Sequence, residues 1–126
     1  MTSSAEQNLA SLGITLPEAP SPAANYVPYV IVGDMVYVSG QVPFVNGGLQ
    51  VTGKVGDTVT IEQAAGEARI CAINLISQLK AACGGDLSRV VQVVKLGGFV
   101  ACTADFTDQP EVMNGASNLM VEVFED

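Results

Sequence analysis

The stretch YVIVGDMVYVSGQVPF, residues 29–44, decides how the rest of the chain is read. Two apolar runs meet at Gly33-Asp34, a tight-turn dipeptide between strand-like segments. Beyond the turn, Tyr37, Ser39 and Gln41 fall on one face and Val36, Val38 and Val42 on the other. A period of two is what a half-buried strand requires, because successive side chains point to opposite faces. Ser39-Gly40 then breaks the run with a hydroxyl and a residue lacking Cβ, so a ligand can approach the backbone amides there closely. A glycine in a strand is more often a bulge or a packing accommodation, and by itself the stretch specifies a hairpin, not a function.

Composition narrows the function classes. The 126 residues are expected to form one domain, 1–126, with enough apolar content (48%) for a genuine core. Net charge is −8, from 13 acidic and 5 basic residues, and there is no histidine. Binding a phosphate backbone needs clustered cations, whereas Lys54, Arg69, Lys80, Arg89 and Lys95 are scattered, so nucleic acid is not expected as a primary partner. Without histidine the commonest metal ligand and the usual general base near neutral pH are missing. No metal and no cofactor is expected, and proton transfer falls to carboxylates, tyrosine, cysteine or bound water. Cys71, Cys83 and Cys102 form no CxxC pair, and their odd number without an apolar leader fits reduced thiols in a cytoplasmic protein. No apolar run approaches the ~20 residues of a spanning helix, so no membrane partner is expected.

Upstream of the hairpin, residues 3–12 read as a short helix capped by Ser3 or Ser4 and ended by Gly13. Pro17, Pro20, Pro22 and Pro28 punctuate an extended connector up to residue 28, with Tyr26 in it. Downstream, VNGGLQ (45–50) carries a glycine turn at Gly47-Gly48, after which Leu49–Thr52 reads as a short returning strand. Thr60 with Gln63 has capping-box spacing, and the apolar positions from Ile61 to Cys83 follow helical periodicity up to Gly84-Gly85. That stripe is small at its start (Ala64, Ala65, Ala68), which suits close approach to a sheet; Cys71 on it reads as core filler. VVQVVKLGGFVAC (90–102) reads as a β-branched strand, with Gly97-Gly98 marking a bulge or a close neighbour. A second helix follows over 109–124, with Asp105 and Asp108 as capping carboxylates. Asn114 lies inside it, where asparagine is a poor helix former, either solvated or turned toward a ligand.

In that order the elements resemble the Rid family, also called the YjgF or endoribonuclease L-PSP-like family. Gly33 to Pro43 is similar to its hairpin signature nearly residue for residue, and Tyr26 precedes Ser39 at the spacing of its Pro-Tyr and Ser-Gly-Gln elements. Lys95 to Phe106 resembles its strand-then-Asp-Phe segment, and Asn114 falls where its second helix carries asparagine. The loop Thr107–Glu111 is longer than the family's, which suggests a branch distinct from the well-defined imine deaminases. The resemblance implies an α+β, chorismate-mutase-like fold: a β-sheet backed by two helices, in the order β-β-β-α-β-α, assembled as a homotrimer with ligand clefts between subunits.

It further implies hydrolysis of reactive enamines and imines of amino acids to 2-keto acids, without metal or cofactor. Tyr26, Ser39, Gly40 and Asn114 are the positions that match the family's cleft-lining residues. An arginine after the second helix grips the substrate carboxylate in the family, and a glutamate on its final strand serves water activation. The sequence ends at Glu125-Asp126, ahead of both, and neither Arg69 nor Arg89 occupies the arginine's place. The expectation is a further C-terminal segment whose strands pair with the sheet, the alternative being a truncated molecule. Three functions follow: a binder of small carboxylated metabolites with imine deaminase activity, a non-catalytic trimeric module binding a metabolite or a protein, and an endoribonuclease or translation inhibitor. The acidic charge and the lack of histidine speak against the last.

Overall fold

The structure, a computed structural model, describes residues 4–19, 25–46 and 48–125. Pro20 and Pro22 of the expected connector, Ser3 and Gly47 lie outside the described residues. Three helices form one layer. Helix α1 is Ala5–Ser11, α2 is Ile61–Ala82 and α3 is Gln109–Phe124. Ser4 and Thr60 cap α1 and α2 through reciprocal capping boxes with Gln7 and Gln63. Both helices also end alike. Gly13 (φ 72°) and Gly84 (φ 68°) take the left-handed conformation, and the N–H of the residue after each reaches back to the carbonyl of Leu9 (2.9 Å) and of Lys80 (2.8 Å). Asp108 holds the N-cap position of α3 without a side-chain capping bond, and Pro110 sits in the first turn.

Packing within this layer makes most of the core. Leu9, Ile76, Leu87, Leu119 and Val123 are buried together between the three helices. The small residues at the start of α2 allow a close approach to α3. Gly115 of α3 lies so near α2 that a methyl group added to it would fall onto the Ala65 carbonyl. Arg69 of α2 meets Glu122 of α3 at 3.5 Å across the outside of the same seam.

The strands are shorter than the sequence pattern suggests. Strands β1 (Tyr29–Val32) and β2 (Met35–Val38) pair antiparallel with Val32 opposite Met35, so Gly33-Asp34 is a two-residue loop. Gly33 has φ 58°, as the first position of a type II′ loop requires. Val36 and Val38 are half-buried while Met35 and Tyr37 are exposed, the alternation expected. The hairpin rests on α2. The third strand is not Leu49–Thr52: β3 (Phe44–Val45) pairs instead with β4 (Gly48–Leu49), because Asn46, at φ 52°, turns the chain one residue earlier.

The largest correction concerns residues 90–102. They lie against α3, but among the described residues no backbone hydrogen bond involves Val91 to Val100. Pairing begins only at the end: Val55 donates to the Ala101 carbonyl (2.9 Å) and accepts from the Thr103 N–H (3.0 Å), a single parallel bridge. Burial along the segment returns at Val90, Val93 and Leu96, every third residue, where a pleated strand would alternate. With no neighbouring strand to hold a pleat, the apolar residues turn toward the helices instead. Gly98 is indeed a place of close approach, to the Met113 side chain of α3. An α+β fold with helices on one side and short antiparallel strands on the other is the result.

Candidate functional site

The hairpin ends in a small polar shelf. Ser39 extends the β1–β2 pairing by one step, its N–H donating to the Pro28 carbonyl at 2.9 Å. Its Oγ donates to the Val27 carbonyl at 2.6 Å, which fastens the residue after Tyr26 to the strand end. A hydroxyl has one proton and two lone pairs. With the proton committed to Val27, Ser39 faces any ligand as an acceptor. Gly40 is the complement. No atom lies within 4 Å of where a Cβ on it would stand, and among the described residues its N–H donates to no group. Gln41 closes the shelf from beyond, its Nε2 donating to the Ser39 carbonyl at 3.1 Å. Tyr26 is 43% exposed beside this shelf.

Asn74 fixes where the shelf sits. Only 2% exposed on α2, it donates through Nδ2 to the carbonyls of Val42 (3.1 Å) and Phe44 (3.2 Å), so the strand leaving Gly40 is tied to the helix. The sequence reading missed this residue. Its signal was the spacing Glu67, Cys71, Asn74, Gln78, a polar row at helical intervals inside an otherwise apolar helix. Cys71 in that row is no nucleophile: burial, then the neighbouring Glu67 carboxylate, pushes its thiol up to about 11.

Ser39 thus holds the chain just after Tyr26 beside Gly40, whereas Asn114 lies on another element. It is exposed on α3, which packs on α2 and α1, and no hydrogen bond joins it to the shelf. Two of the five cations are occupied elsewhere in ways that matter here. Arg69 pairs with Glu122, and Arg89 donates through Nη1 to the Cys83 carbonyl at 3.3 Å, closing the end of α2. Neither is placed to hold a carboxylate at Ser39-Gly40. No helix among the described residues is long and apolar enough to cross a membrane.

Comparison with known proteins gives one consistent result. The family described as "YjgF/chorismate_mutase-like, putative endoribonuclease" matches residues 6–126. Protein TCP17 of Trypanosoma cruzi is 48% identical over 117 residues, 93% of this chain and 72% of that protein. The crystal structure of Atu1372 from Agrobacterium tumefaciens, described as of unknown function, superposes with a TM-score of 0.87 at 46% identity over 97% of this chain and 73% of its own. A structure from Shewanella oneidensis described as a "putative endoribonuclease" gives a TM-score of 0.92 at 36% identity, over 97% of this chain and 80% of its own. With a match that spans nearly the whole sequence, the chain belongs to the YjgF/chorismate mutase-like family.

Proposed function

We propose that this chain is a Rid-type protein that binds small carboxylated metabolites between the subunits of a homotrimer and hydrolyses 2-imino and enamine acids to 2-keto acids and ammonia. The observation that carries the reading is the pairing of opposite polarities on adjacent residues. Ser39 offers acceptor lone pairs and Gly40 a free N–H at an uncovered position. A protonated 2-imino acid has the matching order, an N–H donor on C2 and an acceptor carboxylate on C1. Water adds to C2, the carbinolamine C–N bond breaks, and nitrogen leaves as ammonia with the proton released from the water oxygen. The carbon keeps its oxidation level, so no redox partner is required. Tyr26 flanks the shelf, and Asn114, exposed on α3, enters the cleft from a neighbouring subunit. The three free cysteines support a reducing, cytoplasmic setting.

The test generates 2-iminopropionate in situ and compares ammonia release with and without the protein. Acceleration is expected, reduced by tenfold or more in Ser39→Ala; no acceleration by the unaltered protein overturns the enzymatic claim. A binding module without catalysis is the second reading, favoured by the engagement of Arg69 and Arg89 away from the shelf. It keeps the site but not the turnover, so 2-keto acids should still raise the melting temperature. The endoribonuclease description attached to the family and to the Shewanella structure fits poorly with a net charge of −8. RNA cleavage that survives mutation of Tyr26 and Asn114 together would identify a contaminant.

A further inference from the structure

Among the described acidic residues only Glu6 and Glu67 are not exposed. Glu6 is engaged, accepting from the Leu87 N–H at 3.3 Å and meeting Lys80 at 3.9 Å. Glu67 is not. Its Oε1 is shut off from solvent and has no hydrogen-bond partner among the described residues. Buried carboxylate oxygens are normally paired, so an unpaired one asks for a reason beyond folding. Asn74, in the same polar row of α2, has its structural task in holding the Val42 and Phe44 carbonyls. The register places Glu67 under the shelf. Val36 and Val38 turn toward α2, and a period of two carries Gly40 to that side. No atom stands within 4 Å of a Cβ placed on Gly40, which leaves room between strand and helix. Phe44 pairs with Leu49, so the chain beyond Leu49 runs back past Val42 and Gly40. It arrives at the start of α2, where Val51, Val55 and Val59 pack around Ala64. Gly40 therefore lies from Asn74 toward the start of α2, about 7 Å along the strand from Val42. In that same direction Cys71 is about 4.5 Å and Glu67 about 10 Å along the helix from Asn74. The level of Gly40 falls between them.

Of these two side chains only Glu67 is fit to take a proton. The Cys71 thiol is raised to about 11 by burial and then by the Glu67 carboxylate, so it stays protonated. The Ser39 hydroxyl has its proton committed to Val27. We infer that Glu67 is the proton acceptor of the shelf, the carboxylate that draws a proton from water as the water oxygen bonds to C2 of a bound 2-imino acid. The inference rests on the proposed function and assigns the proton that the hydrolysis must move. As the C–O bond forms, the C=N π pair moves to nitrogen and the water proton passes to Glu67. Glu67 then gives that proton to the carbinolamine nitrogen. When the C–N bond breaks, ammonia leaves, the hydroxyl proton returns to Glu67, and the 2-keto acid is formed. The proton left on Glu67, equal to the one the iminium brought, passes to solvent. A water held between C2 and Oε1 gives that oxygen the partner it lacks in the unliganded chain.

Two measurements on the whole 126-residue protein test this. In the first, glutamate is carbon-13 labelled at the side-chain carboxyl and pyruvate is titrated in. The Glu67 signal, identified by its loss in Glu67→Gln, should shift saturably, while the signal of the exposed Glu62 and the α2 backbone amides hold still. In the second, turnover of 2-iminopropionate is compared between variants. Glu67→Gln keeps the size of the side chain and should lower kcat tenfold or more with KM changed less than twofold. Glu62→Gln should alter neither. A Glu67 signal that stays put while the Gly40 amide shifts overturns the inference, as does full kcat in Glu67→Gln. Either result leaves the proposed function standing. No acceleration by the unaltered protein overturns both, so the two failures are told apart.

Discussion

Helix α2 and the segment 91–100 are both apolar, both unambiguous in pattern, and differ in what they need. An α-helix satisfies its backbone within itself and asks its neighbours only to cover a stripe. A strand satisfies nothing alone; its backbone is complete only when another strand lies alongside. So α2 reaches its expected form between α1, α3 and the hairpin, while 91–100 rests on α3 and makes no backbone hydrogen bond among the described residues. The helical layer is closed by packing, and the segment beside it is not.

The contrast breaks most clearly by truncation. Leu119→Ala removes a side chain with no exposed surface at the centre of the helical layer and is expected to cost about 3 kcal/mol in denaturant unfolding. Val94→Ala, a comparable apolar loss on the open side, should change stability by less than about 0.5 kcal/mol. Similar losses at both positions would mean the segment is packed after all. Next comes the seam. Gly115→Ala improves intrinsic helix propensity yet places a methyl on the Ala65 carbonyl, so a net loss of roughly 1–3 kcal/mol is expected. A gain in stability would show that α2 and α3 are farther apart than described.

Smaller effects sharpen the picture. Thr60→Ala deletes the capping acceptor for the Gln63 N–H at 3.1 Å and should cost about 1 kcal/mol by the same measurement. Cys71 gives a pH signature. Its folded-state value of about 11 lies above the ordinary 9.0, so the protonated thiol favours the folded chain. That contribution is complete below pH 9 and is lost as pH rises through 11. Stability should therefore decline over this window in the natural protein and decline less in Cys71→Ala.

How much of this was legible depended on how local the determinants are. Ser4 with Gln7, Thr60 with Gln63, and the glycines at 13 and 84 act within a few residues, and the helices begin and end where those residues stand. Gly33-Asp34 likewise fixed the hairpin register within one turn. The strand expected at 90–102 failed because β-branched residues state only that a strand is acceptable; whether a partner exists is not written in the segment. The small residues of α2 read as suited to a sheet, and their approach to Gly115 of α3 was not legible, since Gly115 is some fifty positions away. The site divided in the same way. Ser39-Gly40 was readable as a break in a strand, whereas the Asn74 tether that positions it depends on how a helix crosses a loop about thirty residues upstream.

The shelf at Ser39-Gly40 is where the proposed reaction is placed, and one titration addresses it directly. Pyruvate, the 2-keto acid product of 2-iminopropionate, is added to the isotopically labelled protein while backbone amide resonances are followed. The Gly40 N–H, which donates to no group among the described residues, should shift most, with Ser39 and Gln41 following and the interior of α2 unmoved. Saturable shifts centred elsewhere, or none at Gly40 at millimolar pyruvate, would contradict the assignment of this shelf as the carboxylate-binding site.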